Sequence, residues 1–194
     1  MNKLPRDFLK TKASKVGTVV DHLVAALGGE PACPLRRAVI LADIDENPST
    51  TQTDIVNRLG ADKASLARDI EWLYDYGCIM RSTGENDARV THLFSCGYAK
   101  KNLEHAVKLC NSSHKSLKNL LLDIIHLFGD HKPTLRDAKI ISVVCDHGSK
   151  EKQDVLASLY NGPSSTDNRA IKNLIESGLI NVVNDDINED QNAA

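Results

Sequence analysis

Cationic and hydroxyl side chains cluster in the first turns of a helix predicted over residues 63–77. They are Lys63, Ser65 and Arg68. Lysine and arginine contact phosphates or guanine, serine can contact either, and a helix N-terminus itself favours phosphate. These side chains are expected to point outward, because the apolar residues of this helix lie on its other face. The apolar residues are Leu66, Ile70, Leu73 and Tyr74.

A hairpin predicted over residues 80–93 follows this helix and carries two arginines. Arg81 and Arg89 bracket a turn-rich tip between two β-prone runs. Such a wing can place arginine in the minor groove or against phosphates. Asp87 is expected to pair with Arg89 and to orient it. The alternative is that these residues are ordinary solvated charges, since three acidic residues also follow Arg68 on the helix.

Part of the sequence recurs about 100 residues later. LRRAVILADI from Leu35 and LRDAKIISVV from Leu135 share four of ten positions. The match continues at an offset of 100 or 101 residues as far as Ile79 and Ile180, with 12 identities over 45 positions. Similarity at a constant offset indicates a duplicated structural unit.

Both copies predict the same order of elements. In each, a glycine ends the last and longest helix, as is usual for a left-handed helix terminator, and a β-prone pair follows. Helix, turn, helix, glycine and strand predict a winged helix-turn-helix. The predicted fold class is therefore mainly α with small β wings, in tandem winged helix-turn-helix repeats. The predicted helices are 16–28, 35–46, 51–60 and 63–77 in the first copy, and 114–128, 135–146, 150–160 and 164–178 in the second.

These patterns divide the chain into four segments. Copy one, with its N-terminal helix, is expected at 1–97, a linking helix at 98–112, and a degenerate copy two at 113–183. Asn111-Ser112-Ser113 is expected to cap the first helix of copy two. Residues 184–194 are polar and acidic, so they are expected to be a disordered tail.

Copy two is the weaker candidate for DNA contact. Arg169 stands where copy one has Arg68, but Asp167 lies beside it and no basic wing follows. Contact with DNA and a scaffold role are equally compatible with this pattern. We expect copy two to pack chiefly against copy one or a second chain, so that the protein binds DNA as a homodimer through its first copies.

Residues 49–97, about a quarter of the chain, resemble the DNA-binding core of the MarR family of bacterial regulators. The resemblance implies a winged helix that binds double-stranded DNA, usually as a homodimer of chains with one such domain. It departs after Arg89, where the segment to Gly97 is shorter than the family's second wing strand and linker. The matching positions are Thr51, Gln52, Ile55, Leu59, Gly60, Asp62-Lys63-Ala64-Ser65-Leu66, Arg68, Ile70, Leu73, Gly77, Ile79, Arg81, Asp87 and Arg89. The implied DNA contacts are Thr51, Gln52, Lys63, Ser65, Arg68, Arg81 and Arg89.

Composition and motifs argue against other classes. The net charge of −2 gives no general attraction to nucleic acid, so a binding surface must be local. Neither a run of 18 apolar residues nor a secretory signal is found, and five scattered cysteines fit a reducing cytoplasm, so a cytoplasmic, nucleoid-associated location is expected. No catalytic residues, cofactor or metal are predicted. The spacing of Cys96, His105, Cys110 and His114 matches no established zinc pattern.

The sequence therefore predicts a sequence-specific, double-stranded DNA-binding transcriptional regulator of bacterial, phage or plasmid origin, and not an enzyme. Two alternatives remain open at this point. One is a tandem winged-helix adaptor that binds proteins, which the net charge would suit. The other is a plasmid or phage replication initiator, in which two winged helices bind repeated DNA sites.

Overall fold

The computed structural model describes residues 4–84, 87–111, 116–147, 150–159, 164–183 and 186–189. Helices dominate these ranges and two small antiparallel sheets accompany them, which confirms the expected class of mainly α with small β wings. None of the described helices is long and apolar enough to cross a membrane. The first elements are α1 (Leu4–Ala26), α2 (Leu35–Glu46), α3 (Gln52–Leu59), α4 (Lys63–Asp75), β1 (Ile79–Thr83), β2 (Thr91–Ser95) and α5 (Gly97–Asn111). They are followed by α6 (Leu117–Leu127), α7 (Leu135–His147), β3 (Lys150–Glu151), α8 (Lys152–Ala157), α9 (Ser164–Glu176), β4 (Ile180–Val183) and β5 (Asp186–Glu189).

The chain divides into two compact units that do not coincide with the two copies. The first unit comprises Met1–Asp21, Pro31–Leu35 and Asp123–Ala194, and the second comprises His22–Glu30 and Arg36–Leu122. Each unit therefore contains residues of both copies.

The helix-turn-helix of the second unit consists of α3 and α4. Thr51 caps α3 in a capping box, in which its side chain accepts from the N–H of Asp54 and the Asp54 carboxylate accepts from the N–H of Thr51. Asp62 caps α4 by accepting from the N–H of Ser65. Gly60, with a φ of 60°, ends α3 in the left-handed conformation, so the chain can turn within two residues.

One face of α4 is buried in the core of the second unit. Leu66, Ile70 and Leu73 are buried as predicted, together with Ile55 of α3. Tyr74 was expected on the same face, but it is 44% exposed. It lies one position beyond Leu73, where the helix surface turns toward solvent, and its ring contacts a wing arginine instead.

The wing of the second unit is a two-stranded hairpin. β1 pairs antiparallel with β2 in a register that runs from Ile79↔Ser95 to Thr83↔Thr91. A single bridge joins Thr50, just before α3, to Leu93 of β2. The wing is thereby attached to the helix-turn-helix at the start of α3.

The first unit contains α8 and α9, the helices expected in copy two, and a three-stranded sheet in the order β3-β5-β4. Residues 184–194 were expected to be a disordered tail, and copy two was expected to lack a wing. Both predictions are wrong at Asp186–Glu189, which forms β5 and pairs with both β3 and β4. Strand pairing uses backbone groups, so the acidic composition of this segment did not reveal it. Residues 184–185 and 190–194 lie outside the described residues.

Two helix ends also differ from the sequence-based prediction. α1 begins at Leu4 and not at residue 16. Asn111 is the last residue of α5, and α6 is capped by Ser116, whose side-chain oxygen accepts from the N–H of Asn119 at 3.2 Å. The predicted cap at Asn111-Ser112-Ser113 is therefore wrong at Asn111, and the two serines lie outside the described residues.

Candidate nucleic-acid interface

The first turns of α4 expose two cationic side chains. Lys63 and Arg68 are exposed and Ser65 is half-buried. The Arg68 side chain lies back along its own helix, where its Nε donates to the carbonyl of Ala64 at 3.4 Å. Neither Lys63 nor Arg68 forms an ion pair within the described part of the chain. Both charges are therefore available to an anionic partner.

Thr51 and Gln52 lie at the start of α3, where Gln52 also contacts the start of α4. The Thr51 hydroxyl donates to the carboxylate of Asp54 at 2.7 Å, and the two backbone-directed bonds of the capping box add to it. These hydrogen bonds hold the pKa of Asp54 below its usual value. Gln52 Nε2 donates to the carbonyl of Lys63 at 3.4 Å. Both side chains therefore also have a structural function, since they fix the start of each helix.

The first acidic residue after Arg68, Asp69, forms ion pairs with two arginines of α2. Asp69 is buried and forms ion pairs with Arg36 and Arg37 of α2, the latter at 3.1 Å. The Arg37 guanidinium also lies 4.2 Å from the ring centroid of Trp72. The carboxylate of Asp69 thus does not oppose an anion at the outer face of α4. Sequence reasoning missed Arg36 and Arg37, because no local spacing links α2 to α4.

Arg81 is occupied within the second unit. Its Nη2 contacts Glu71 of α4 at 2.6 Å, and its guanidinium lies 4.3 Å from the ring centroid of Tyr74. The sequence-based prediction placed Arg81 with Arg89 as a phosphate contact. The geometry also gives Arg81 a structural function at the base of the wing, where it joins β1 to α4.

Arg89 lies at the tip of the wing, and its side chain is 92% exposed. Its N–H and Nε both donate to Asp87 Oδ1, at 2.9 and 3.3 Å. The expected pairing with Asp87 is therefore present, and it orients an otherwise solvated guanidinium. Glu85 and Asn86, the neighbouring tip residues, lie outside the described residues.

A buried carboxylate of α2, Asp43, connects α2 to α3 through an ion pair with Arg58. Asp43 of α2 is fully buried, and Arg58 contacts it through Nη2 at 2.6 Å while also donating to Thr50 Oγ1 at 2.6 Å. Lys118 Nζ contacts Asp43 at 3.0 Å. The hydrogen bonds that Arg58 donates to Asp43 raise the pKa of Arg58. Burial opposes the charge of Lys118, but bonds to Asp43 and Glu46 leave its pKa raised. This cluster therefore ties α3 to α2 and to the residue that bridges to the wing.

The other candidate groups do not form a site in the described part of the chain. Cys33, Cys78 and Cys110 are buried and form no disulfide, and burial raises the pKa of Cys110 to about 11. No cluster of histidine, cysteine and carboxylate side chains suited to a metal ion occurs among the described residues. His114, one member of the set considered from sequence, lies outside them.

Residues 34–91 match the model of the MarR family. No curated protein matches the chain significantly. The residues matched by the family model include α2, α3, α4, β1 and the start of β2.

Several solved structures align with the chain at low identity. SlyA, a transcriptional regulator, is 18% identical over 46% of this chain and 69% of its own, with a TM-score of 0.32. A structure of MarR is 18% identical over 54% and 70%, with a TM-score of 0.38. A SlyA-like transcription regulator from Listeria monocytogenes is 18% identical over 72% and 74%, with a TM-score of 0.37. These superpositions are too loose to carry an argument about the chain. Residues 34–91 thus match the MarR family model, and the elements observed over these residues have the order of a winged helix.

Proposed function

We propose that this protein is a sequence-specific transcriptional regulator that binds double-stranded DNA through α4 and the β1–β2 wing. The observation that carries the proposal is the exposed cationic start of α4, within the segment that matches the MarR family. In this proposal the N-terminal turns of α4 enter the major groove. Lys63 and Arg68 contact phosphates or guanine, and Ser65 contacts either.

The distribution of charge supports this orientation of α4. Asp69 is turned inward and neutralised by two arginines, and Glu71 is paired with Arg81. The exposed charge near the N-terminus of α4 is therefore positive although the whole chain carries −2. A positive helix start adds to the favourable interaction of its backbone N–H groups with phosphate.

The wing supplies the second proposed contact. Arg89 projects from the tip and can reach the minor groove or a phosphate, with Asp87 setting its direction. Arg81 acts indirectly, because it fixes the wing against α4. Thr51 and Gln52 position the starts of α3 and α4, and phosphate contact by their polar atoms is the further role that the resemblance implies.

The proposal includes a cytoplasmic, nucleoid-associated location and no enzymatic activity, as expected for this class of regulator. The sequence predicts a homodimer on DNA, joined so that the two first copies bind together. A protein-binding adaptor is the main alternative, since the net charge of −2 would suit it. A replication initiator would bind repeated sites and would share the DNA contacts proposed here.

The test compares the retention of duplex DNA from beside the protein's own gene by wild type, Arg68→Ala and Lys132→Ala. Lys132 is a matched control, because it is an exposed cation in a loop outside the proposed surface. Arg68→Ala is expected to reduce affinity about tenfold or more with unchanged circular dichroism, while the control leaves affinity unchanged. Equal affinities for the three proteins would remove α4 from the interface.

A further inference from the structure

The described residues of copy two form helices and strands in the order of a winged helix, and the strand pairing was not expected from the sequence. In the second unit, Thr50 forms a bridge to Leu93 of the second wing strand. In the first unit, Lys150, 100 residues after Thr50, pairs with Ile187 of β5. Each sheet thus joins the residue before the helix-turn-helix to the second strand of its wing. The sequence argument against DNA contact by copy two rested partly on the lack of a basic wing. The strands of a wing are present, but β4 and β5 contain no lysine or arginine.

The outward face of α9 forms one side of a groove of about 520 Å³. Arg169 and Lys172 are exposed on this face, and Lys152 of α8 completes the cationic lining. Arg169 and Lys172 lie about one turn apart on α9, and Lys152 lines the same groove from the start of α8. Ser165, Asn168 and Asn173 add polar groups to the same groove.

The charge of this face is at least as suitable for DNA as that of α4. In the repeat, Arg169 corresponds to Arg68, and Lys172 takes the place of the acid Glu71. Asp167, which counted against copy two, is 3% exposed and pairs inward with Arg136 at 3.2 Å. The acid therefore does not reach the groove.

The remaining acid on this face is a weak opponent. Glu176 lies 3.6 Å from Lys172, one turn along the helix, and both side chains are well exposed. Ion pairs of this exposed kind contribute little, so Lys172 can exchange Glu176 for a phosphate at small cost.

Equivalent segments of the two copies also pair reciprocally within the first unit. The N–H of Leu35 donates to the carbonyl of Pro133 at 2.9 Å, and the N–H of Leu135 donates to the carbonyl of Cys33 at 3.0 Å. The bridge between them joins Pro34 to Thr134, which are 100 residues apart. Two identical segments in an isologous dimer pair in this way. Here the exchange takes place inside one chain.

We propose that the face formed by Arg169, Lys172 and Lys152 is a second DNA-contacting surface, and that one chain occupies both half-sites of a single duplex. This proposal rests on the proposed function. The covalent connection gives the second surface a high effective concentration once α4 has bound, which is the advantage that other regulators obtain by dimerisation. It replaces the sequence-based expectation that copy two chiefly packs against copy one or a second chain and that the protein binds DNA as a dimer.

The test uses the shortest duplex from beside the protein's own gene that wild type retains. Affinity is measured for Arg68→Ala, Arg169→Ala, Lys172→Glu and the control Lys132→Ala, and sedimentation gives the number of chains per duplex. We expect one chain per duplex and losses of about tenfold or more for both arginine variants. Lys172→Glu, which restores the acid of copy one, is expected to weaken binding as well, and all four variants should keep the wild-type circular dichroism spectrum.

The outcomes separate this inference from the proposed function. If Arg68→Ala weakens binding and Arg169→Ala does not, α4 binds DNA as proposed and the second surface is wrong. If two chains bind each duplex, the single-chain arrangement is wrong even where both arginines contribute. If neither substitution matters, the proposed function fails together with this inference.

Discussion

Arg58→Ala is expected to destabilise the second unit without weakening the DNA contact of the folded protein. Arg58 is the main partner of Asp43, a carboxylate with no exposure to solvent, and it also holds Thr50 beside the wing. Removing it leaves the carboxylate with Lys118 alone. Breaking a buried ion pair typically costs about 3–5 kcal/mol. Since Lys118 remains and the Arg58 side chain is 32% exposed, we expect about 2–3 kcal/mol.

The free energy of unfolding is measured by urea denaturation followed by circular dichroism. Arg68→Ala is the matched comparison, because it removes an exposed arginine from the neighbouring helix and should change stability by about 0.5 kcal/mol or less. Arg58→Ala should therefore lower stability and leave DNA affinity unchanged, whereas Arg68→Ala should lower DNA affinity and leave stability nearly unchanged. A loss below about 1 kcal/mol for Arg58→Ala would refute the argument that this cluster holds α3 in place.

Four further substitutions test local features of the second unit. Thr51→Ala should cost about 1 kcal/mol of stability at neutral pH. The pKa of Asp54 is lowered in the folded state, so its bonds to Thr51 contribute fully above about pH 4 and are lost as the pH falls through the lowered pKa. The cost of Thr51→Ala, measured by thermal unfolding, should therefore shrink in acid. Gly77→Ala should cost about 1–2 kcal/mol in urea unfolding through backbone strain alone, because Gly77 has a φ of 65° and an added Cβ would meet open space; a larger loss would contradict this. Arg89→Ala should make the log–log salt slope of DNA binding shallower by about one unit, whereas Arg81→Ala should lower the melting temperature and leave that slope unchanged; the reverse result would exchange their roles.

Local sequence patterns predicted much of the winged helix. Apolar spacing gave α4 its buried face, and Gly77 gave its end, because both signals act within a few residues. The same local signals misplaced Tyr74, because they carry no information about side chains that approach from other elements. At the margin of an apolar stripe, burial depends on which neighbour arrives, and here Arg81 comes from the wing.

Long-range pairing was not visible in the sequence. Asp43 with Arg58 and Lys118, and Asp69 with Arg36 and Arg37, join different helices with no characteristic spacing. The strand at Asp186–Glu189 is the clearest case. Its composition is typical of a solvated tail, but its backbone pairs with two other strands. The exposure of Lys63, Arg68 and Arg89 could be predicted, because an exposed side chain requires no particular partner. The structural function of Arg81 could not be predicted, because it depends on the contact with Glu71.

The salt dependence of DNA binding tests whether this protein binds duplex DNA through its exposed cations. Affinity of the wild-type chain for duplex DNA from beside its own gene is measured over a range of salt concentrations. Contacts to phosphate by Lys63, Arg68 and Arg89 alone would give a log–log slope of about −2.7, and contacts from copy two would make it steeper. We expect tight retention at low salt and a slope at least this steep. A chain that retains no duplex at the lowest salt concentration, or whose binding does not change with salt, would contradict it.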